Sequence, residues 1–181
     1  MRRAYRIPLT ALFTAVLAAG CGGCGGTGVA HATWTGRVCQ ALGPWRGQIT
    51  ALNAQAAQDT SAAKTPAQTR DGLLRLLSGA QQASEDARAR VAAAGVPDVP
   101  DGPRIAARFT AALAAVRDAY AKAGRAVAAL PLAQPKAFYD GVAAALATLN
   151  TEYGSAGVDT AKLASATLRR DFDEVPACSP G

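Results

Sequence analysis

TPAQTRDGLLRLLSGAQQASEDARARVAAAG, residues 65–95, is a helix written with both of its ends. Thr65 supplies an N-cap hydroxyl, Pro66 takes the first helical position where its missing N–H costs nothing, and Gln68 completes a capping box. Gly95 stands just past the last turn, where a chain leaving a helix needs a left-handed residue. Between these signals, Leu73, Leu77, Ala80, Ala87, Val91 and Ala94 fall on one face, and Leu74 and Leu76 widen the stripe. That spacing is helical and too long for a strand.

The same period runs outward in both directions. Upstream, Val38, Leu42, Trp45, Ile49, Leu52 and Ala56 step by three and four, the seam of a bundle helix. Pro44 lies inside that seam, so it either starts a new helix after a short first turn or kinks a continuous one. Downstream, Val96 to Pro103 is a proline-rich turn, followed by a third helix buried through Ile105, Phe109, Leu113, Val116, Tyr120, Ala123, Val127 and Leu130. Pro131 stops it. After Pro135 a fourth helix carries Phe138, Val142, Leu146, Leu149 and Tyr153, ending at Gly154 and Gly157; Asp159 caps a short fifth helix bearing Ala161, Ala164, Leu168 and Phe172. No run alternates like a strand. Short connections favour antiparallel neighbours, so the expected fold is all-α: an up-and-down antiparallel bundle of four main helices plus a short C-terminal helix. Its alanine-rich seams are expected to bring helix axes close and leave little unfilled volume.

The front of the chain reads differently. Arg2, Arg3 and Arg6 precede an apolar run from Leu9 to Ala19 that is too short to span a bilayer, and Ala18-Ala19-Gly20-Cys21 follows. A basic head, an apolar segment and small residues before a cysteine make an export signal ending in a lipobox, with Cys21 the lipidated first residue of the mature chain. Leu17 lies one place further out than a typical lipobox leucine. A general signal peptidase site at Ala30-His31-Ala32 is the rival, releasing a product from Thr33; more than ten Gly-rich residues between it and the apolar run argue against it. Arg2-Arg3 is an ordinary basic head, since Ala4, Tyr5 and Arg6 fit a twin-arginine signal poorly. The expected organisation is therefore a signal peptide over 1–20, a flexible Gly-rich tether over 21–34 and a helical domain over 35–181. The expected address is the extracytoplasmic face of the cell membrane, with a secreted soluble form as the alternative.

Charge narrows the partners. The whole chain carries 19 basic and 13 acidic residues, +6; three arginines leave with the signal, so the mature chain is near +3. These charges are dispersed, with Arg169-Arg170 the adjacent pair, and no basic stripe suited to nucleic acid appears. Arg104, Arg108, Arg117, Lys122 and Arg125 load the third helix, which reads as a solvated face or, less simply, a partner surface.

The four cysteines are not equivalent. Cys21 and Cys24 form a C-x-x-C embedded in glycine, with Cys21 consumed by lipid, so redox or metal chemistry is not expected there and Cys24 is left alone in the tether. Cys39 and Cys178 lie near opposite ends of the folded region in an oxidising compartment, and a disulfide between them is expected.

Catalytic parts are missing from this reading. His31, the single histidine, falls in the tether, so no Ser-His-Asp or Cys-His arrangement can be assembled in the domain. A metal site has His31 and Cys24 alone to draw on. Glu85-Asp86 and Asp173-Glu174 are sequence neighbours that point to different helix faces, and neither a dinucleotide fingerprint nor a P-loop occurs. No enzyme activity, cofactor or metal is expected. Aromatic residues Trp45, Phe109, Tyr120, Phe138, Tyr153 and Phe172 read as packing; Trp34, in the tether, either rests at the membrane interface or covers the end of the bundle.

Val38-Cys39-Gln40-Ala41-Leu42 opening the first helix, Ile49 to Ala57 after it, and Val175-Pro176-Ala177-Cys178 closing the chain resemble the small secreted lipoproteins of high-GC Gram-positive bacteria. That group is largely without assigned activity. The resemblance implies lipidation at Cys21, a disulfide between Cys39 and Cys178, and no catalytic residue. The expected function is a non-catalytic helical interaction module anchored to the membrane by lipid, binding another envelope protein or a cell-wall component. The alternative is a lipoprotein that binds or senses a small apolar ligand between its helices.

Overall fold

A computed structural model of the chain describes residues 28–63 and 65–179. The expected signal peptide over 1–20, the expected lipidation site Cys21, Cys24 and the expected tether as far as residue 27 lie outside the described residues. The fold is an all-α helical bundle: α1 (His31–Ala62), α2 (Pro66–Ala93), α3 (Gly102–Ala128), α4 (Pro135–Ala156), α5 (Thr160–Leu163) and α6 (Ala166–Glu174), then a 3-10 turn over Pro176–Cys178.

α2 forms as its ends dictate. Gln68 N donates to the Thr65 hydroxyl, the Gln68 side chain accepts from Thr65 N, and Gly95 takes φ +85°. α1 is unbroken through Pro44, so the proline sits within a single helix rather than starting a new one.

Partners along each pair of sequence-adjacent helices run in opposite order. Trp34 meets Gly95, Trp45 meets Ser84 and Leu52 lies against Gly79, which makes α1 and α2 antiparallel. Glu85 with Arg117 and Leu77 with Gly124 do the same for α2 and α3; Leu130 over Gly141 and Tyr120 on Tyr153 do it for α3 and α4. α1 and α4 make no close backbone approach; α6 and the final 3-10 turn pack against α1, and α6 reaches α3 through Phe172 on Phe109. The core runs through all four long helices, from Trp34, Val38 and Leu42 through Leu77, Ala80 and Val91 to Phe109, Leu113, Val116 and Leu149.

Two boundaries move relative to the sequence reading. Helix α1 begins at His31, so residues 31–34 belong to the bundle and not to a tether. Gly28 to Ala30 are also fixed, because Val29 accepts from Asp98 N and donates to Val96 O, both at 2.7 Å. The C-terminal helix is split at Ala164-Ser165: α5 is one turn, and Ser165 starts α6 by accepting from Leu168 N through its hydroxyl. A serine offering its own acceptor to the backbone favours a fresh helix start over helix continuation.

Candidate functional site

Two places gather chemistry. Toward one end of the bundle the first helix and the segment from α6 to the final 3-10 turn are clasped together. Cys39 and Cys178 are joined by a disulfide across 139 residues of sequence. About two turns earlier on α1, His31 Nδ1 lies 2.6 Å from Asp171 Oδ2, with Asp171 buried and the imidazole half-exposed. Trp34 is fully buried, donates from Nε1 to the Gly95 carbonyl at 2.9 Å and presents its ring edge-on to Phe109, which in turn stacks on Phe172. Of its two expected roles, Trp34 takes the second: it covers the end of the bundle.

His31 is therefore not a spacer residue. A histidine oriented by a buried carboxylate has the form of a general base and its positioning group. Among the described residues, however, no hydroxyl or thiol is hydrogen-bonded to the ring, and no cluster of three His, Cys, Asp or Glu side chains has the spacing to hold a metal. What the pair does visibly is tie α6 to the first turn of α1.

Charged residues on α3 are mostly engaged. Arg104 pairs with Asp101, Arg117 with Glu85 and Asp118, and Lys122 with Glu152. The guanidinium groups of Arg88 and Arg117 both donate to Glu85 and hold its carboxyl down at about 2. Asp86 accepts from Gln82, so the acid pair at 85 and 86 divides between two faces. Arg125 has no carboxylate within ion-pair distance among the described residues, and it was not distinguished from its neighbours by sequence.

The second place is the seam between α3 and α4. Bulky contacts fall at its two ends. Leu130 occupies the space a side chain on Gly141 would need, and Tyr120 packs edge-on to Tyr153 with centroids 6.1 Å apart. Burial pushes the Tyr120 phenol up to about 12. It also raises Tyr153, against the pull of Arg46 from α1. Between those ends, Ala119, Ala123 and Ala126 face Gly141, Ala144 and Ala145. Small side chains on both walls leave a cleft of about 380 Å³, floored by Leu149 and reaching Thr148 and the Lys122–Glu152 pair. The groove is open to solvent on the side of Lys122, Ala126, Ala144 and Thr148, while Ala119, Ala123 and Ala145 beneath it are buried.

No helix among the described residues is long and apolar enough to cross a membrane. Compared with models of protein families, with curated proteins and with solved structures, the chain has no match in any of the three.

Proposed function

We propose that the protein is a non-catalytic binding module of the cell envelope, anchored to the extracytoplasmic face of the membrane through lipid on Cys21, and that it binds an apolar ligand between α3 and α4. The observation that carries this reading is the cleft itself: about 380 Å³ lined mainly by alanine, glycine and leucine, with Lys122, Thr148 and Glu152 gathered toward one end. Apolar walls with a few placed polar groups are the usual form of a small-molecule site. The ligand reading thus moves ahead of the protein-partner reading favoured by the sequence.

The test is chemical extraction of the full chain purified from envelopes, compared with the Ala144→Phe variant, whose phenyl ring fills the cleft from an exposed wall position. An apolar compound present at near-stoichiometric yield in the wild type and lost in the variant supports the reading; no such compound in either overturns it. Intact mass of the same material, with and without reduction, reports acylation at Cys21 and the disulfide.

Docking of another envelope protein is the second reading, favoured by Tyr139. Its ring is 47% exposed near the start of α4 and is braced edge-on by buried Phe138. Rigid exposed aromatics are the residues from which protein interfaces draw most energy. Crosslinking in intact envelopes that captures one reproducible partner through Tyr139 supports it, and capture unaffected by Tyr139→Ala counts against it.

A further inference from the structure

The shape of the α3–α4 cleft narrows its occupant. Its lining spans Ala119 to Leu130 on α3 and Gly141 to Glu152 on α4, a length of about 17 Å at the helical rise per residue. A groove of that length walled by alanine, glycine and leucine offers continuous apolar contact to one extended hydrocarbon chain laid along it. Leu130 closes one end by lying over Gly141.

The other end is polar and does not stop at the cleft. Ala119, Lys122 and Glu152 also line an adjoining concavity of about 510 Å³, whose further walls are Asp118, Arg125 and Ser155. Lys122 is paired with Glu152, and Asp118 with Arg117. Of the two cations lining this concavity, Arg125, one turn along α3 from Lys122, is the one with no ion pair among the described residues. An apolar slot opening onto an uncompensated guanidinium is complementary to a molecule with one greasy tail and an anionic head.

We propose that the α3–α4 cleft binds a long-chain carboxylate, with its single hydrocarbon tail between the alanine walls and its head group at Arg125. This deepens the apolar-ligand reading above and rests on it. Ala119, Ala123, Ala144 and Ala145 set the tail channel, Leu130 sets its length, and Arg125 distinguishes acid from ester.

Photolabelling tests the two layers separately. The full chain, in phosphatidylcholine vesicles, is irradiated with a long-chain carboxylate carrying a diazirine near its tail end, and in parallel with its methyl ester. Labelled peptides are then mapped by mass spectrometry. Expected labelling falls on residues 141–152, with the acid favoured over the ester by about tenfold, the scale of one charge-assisted hydrogen bond. Arg125→Gln lowers acid labelling to the ester's level and leaves ester labelling unchanged; Ala144→Phe abolishes both. Circular dichroism and thermal midpoints equal to wild type show that both variants fold, and Ala126→Phe is the second cleft-filling variant should Ala144→Phe fail that check. No labelling of α3 or α4 by either probe overturns the cleft as an apolar site. Equal labelling by acid and ester, unaffected by Arg125→Gln, overturns the anionic head group and leaves the apolar site standing.

Discussion

The indole Nε1 of Trp34 donates to the Gly95 carbonyl at 2.9 Å, linking the first turn of α1 to the residue that ends α2. The ring is fully buried. Trp34→Ala is expected to cost about 3–5 kcal/mol, from lost burial and the cavity left behind. Trp34→Phe keeps most of the apolar area and strands the carbonyl, so about 1–3 kcal/mol is expected. Urea unfolding of the three proteins gives the ranking; equal midpoints for Trp34→Ala and wild type would show that the bundle end does not depend on this side chain.

Reduction of the Cys39–Cys178 bridge is expected to lower stability by about 4–5 kcal/mol in the chain-entropy account, since it reopens a loop of 139 residues in the unfolded chain. Cys39→Ser with Cys178→Ser should show the same loss without reductant. Denaturation of oxidised, reduced and doubly substituted protein checks it, the last two coinciding.

Glu85 gives the pH response a sign. Its folded-state carboxyl is held at about 2 by Arg88 and Arg117, below the ordinary value of 4.5. Its contribution is present above pH 4.5 and disappears as the pH falls toward about 2, because the unfolded chain takes up the proton first. The midpoint gap between wild type and Glu85→Gln should therefore be open at pH 6 and closed at pH 2. A gap unchanged across that window would remove the Arg88–Glu85–Arg117 cluster from the acid response.

Glycines separate by what surrounds them. A side chain on Gly102, the first residue of α3, would run into the backbone carbonyl of Pro97, which cannot swing aside as a side chain can. Gly102→Ala should cost about 1–3 kcal/mol. Gly47, exposed within α1, has nothing near it, and Gly47→Ala should stabilise by about 0.5–1 kcal/mol through helix propensity alone. Thermal midpoints that move the same way for both would contradict this division.

What could be read from the sequence was local. Thr65, Pro66, Gln68 and Gly95 mark the ends of α2 by chemistry within a few residues, and the apolar period on α1 to α3 matches the buried positions nearly residue for residue. The start of α1 was hidden because Gly28 to Ala30 gain their order from Val96 and Asp98, almost seventy residues away. Without that partner they look like spacer, and His31 and Trp34 are swept into the tether with them. The cleft was hidden for a related reason. Alanine on two facing helices does not say where the larger side chains between them fall, and Leu130 over Gly141 and Tyr120 on Tyr153, which bound the groove, are pairings that no single-helix pattern contains. Tyr153 itself was read as core and stands 38% exposed.

The bridge at Val29 determines how the domain bears load. A pull on the leading end first meets two hydrogen bonds to the α2–α3 turn, and behind them an indole wedged into the bundle and a covalent link to the final turn. Tension applied ahead of residue 28 would thus meet three restraints in succession, at residues 29, 34 and 39, the last of them covalent.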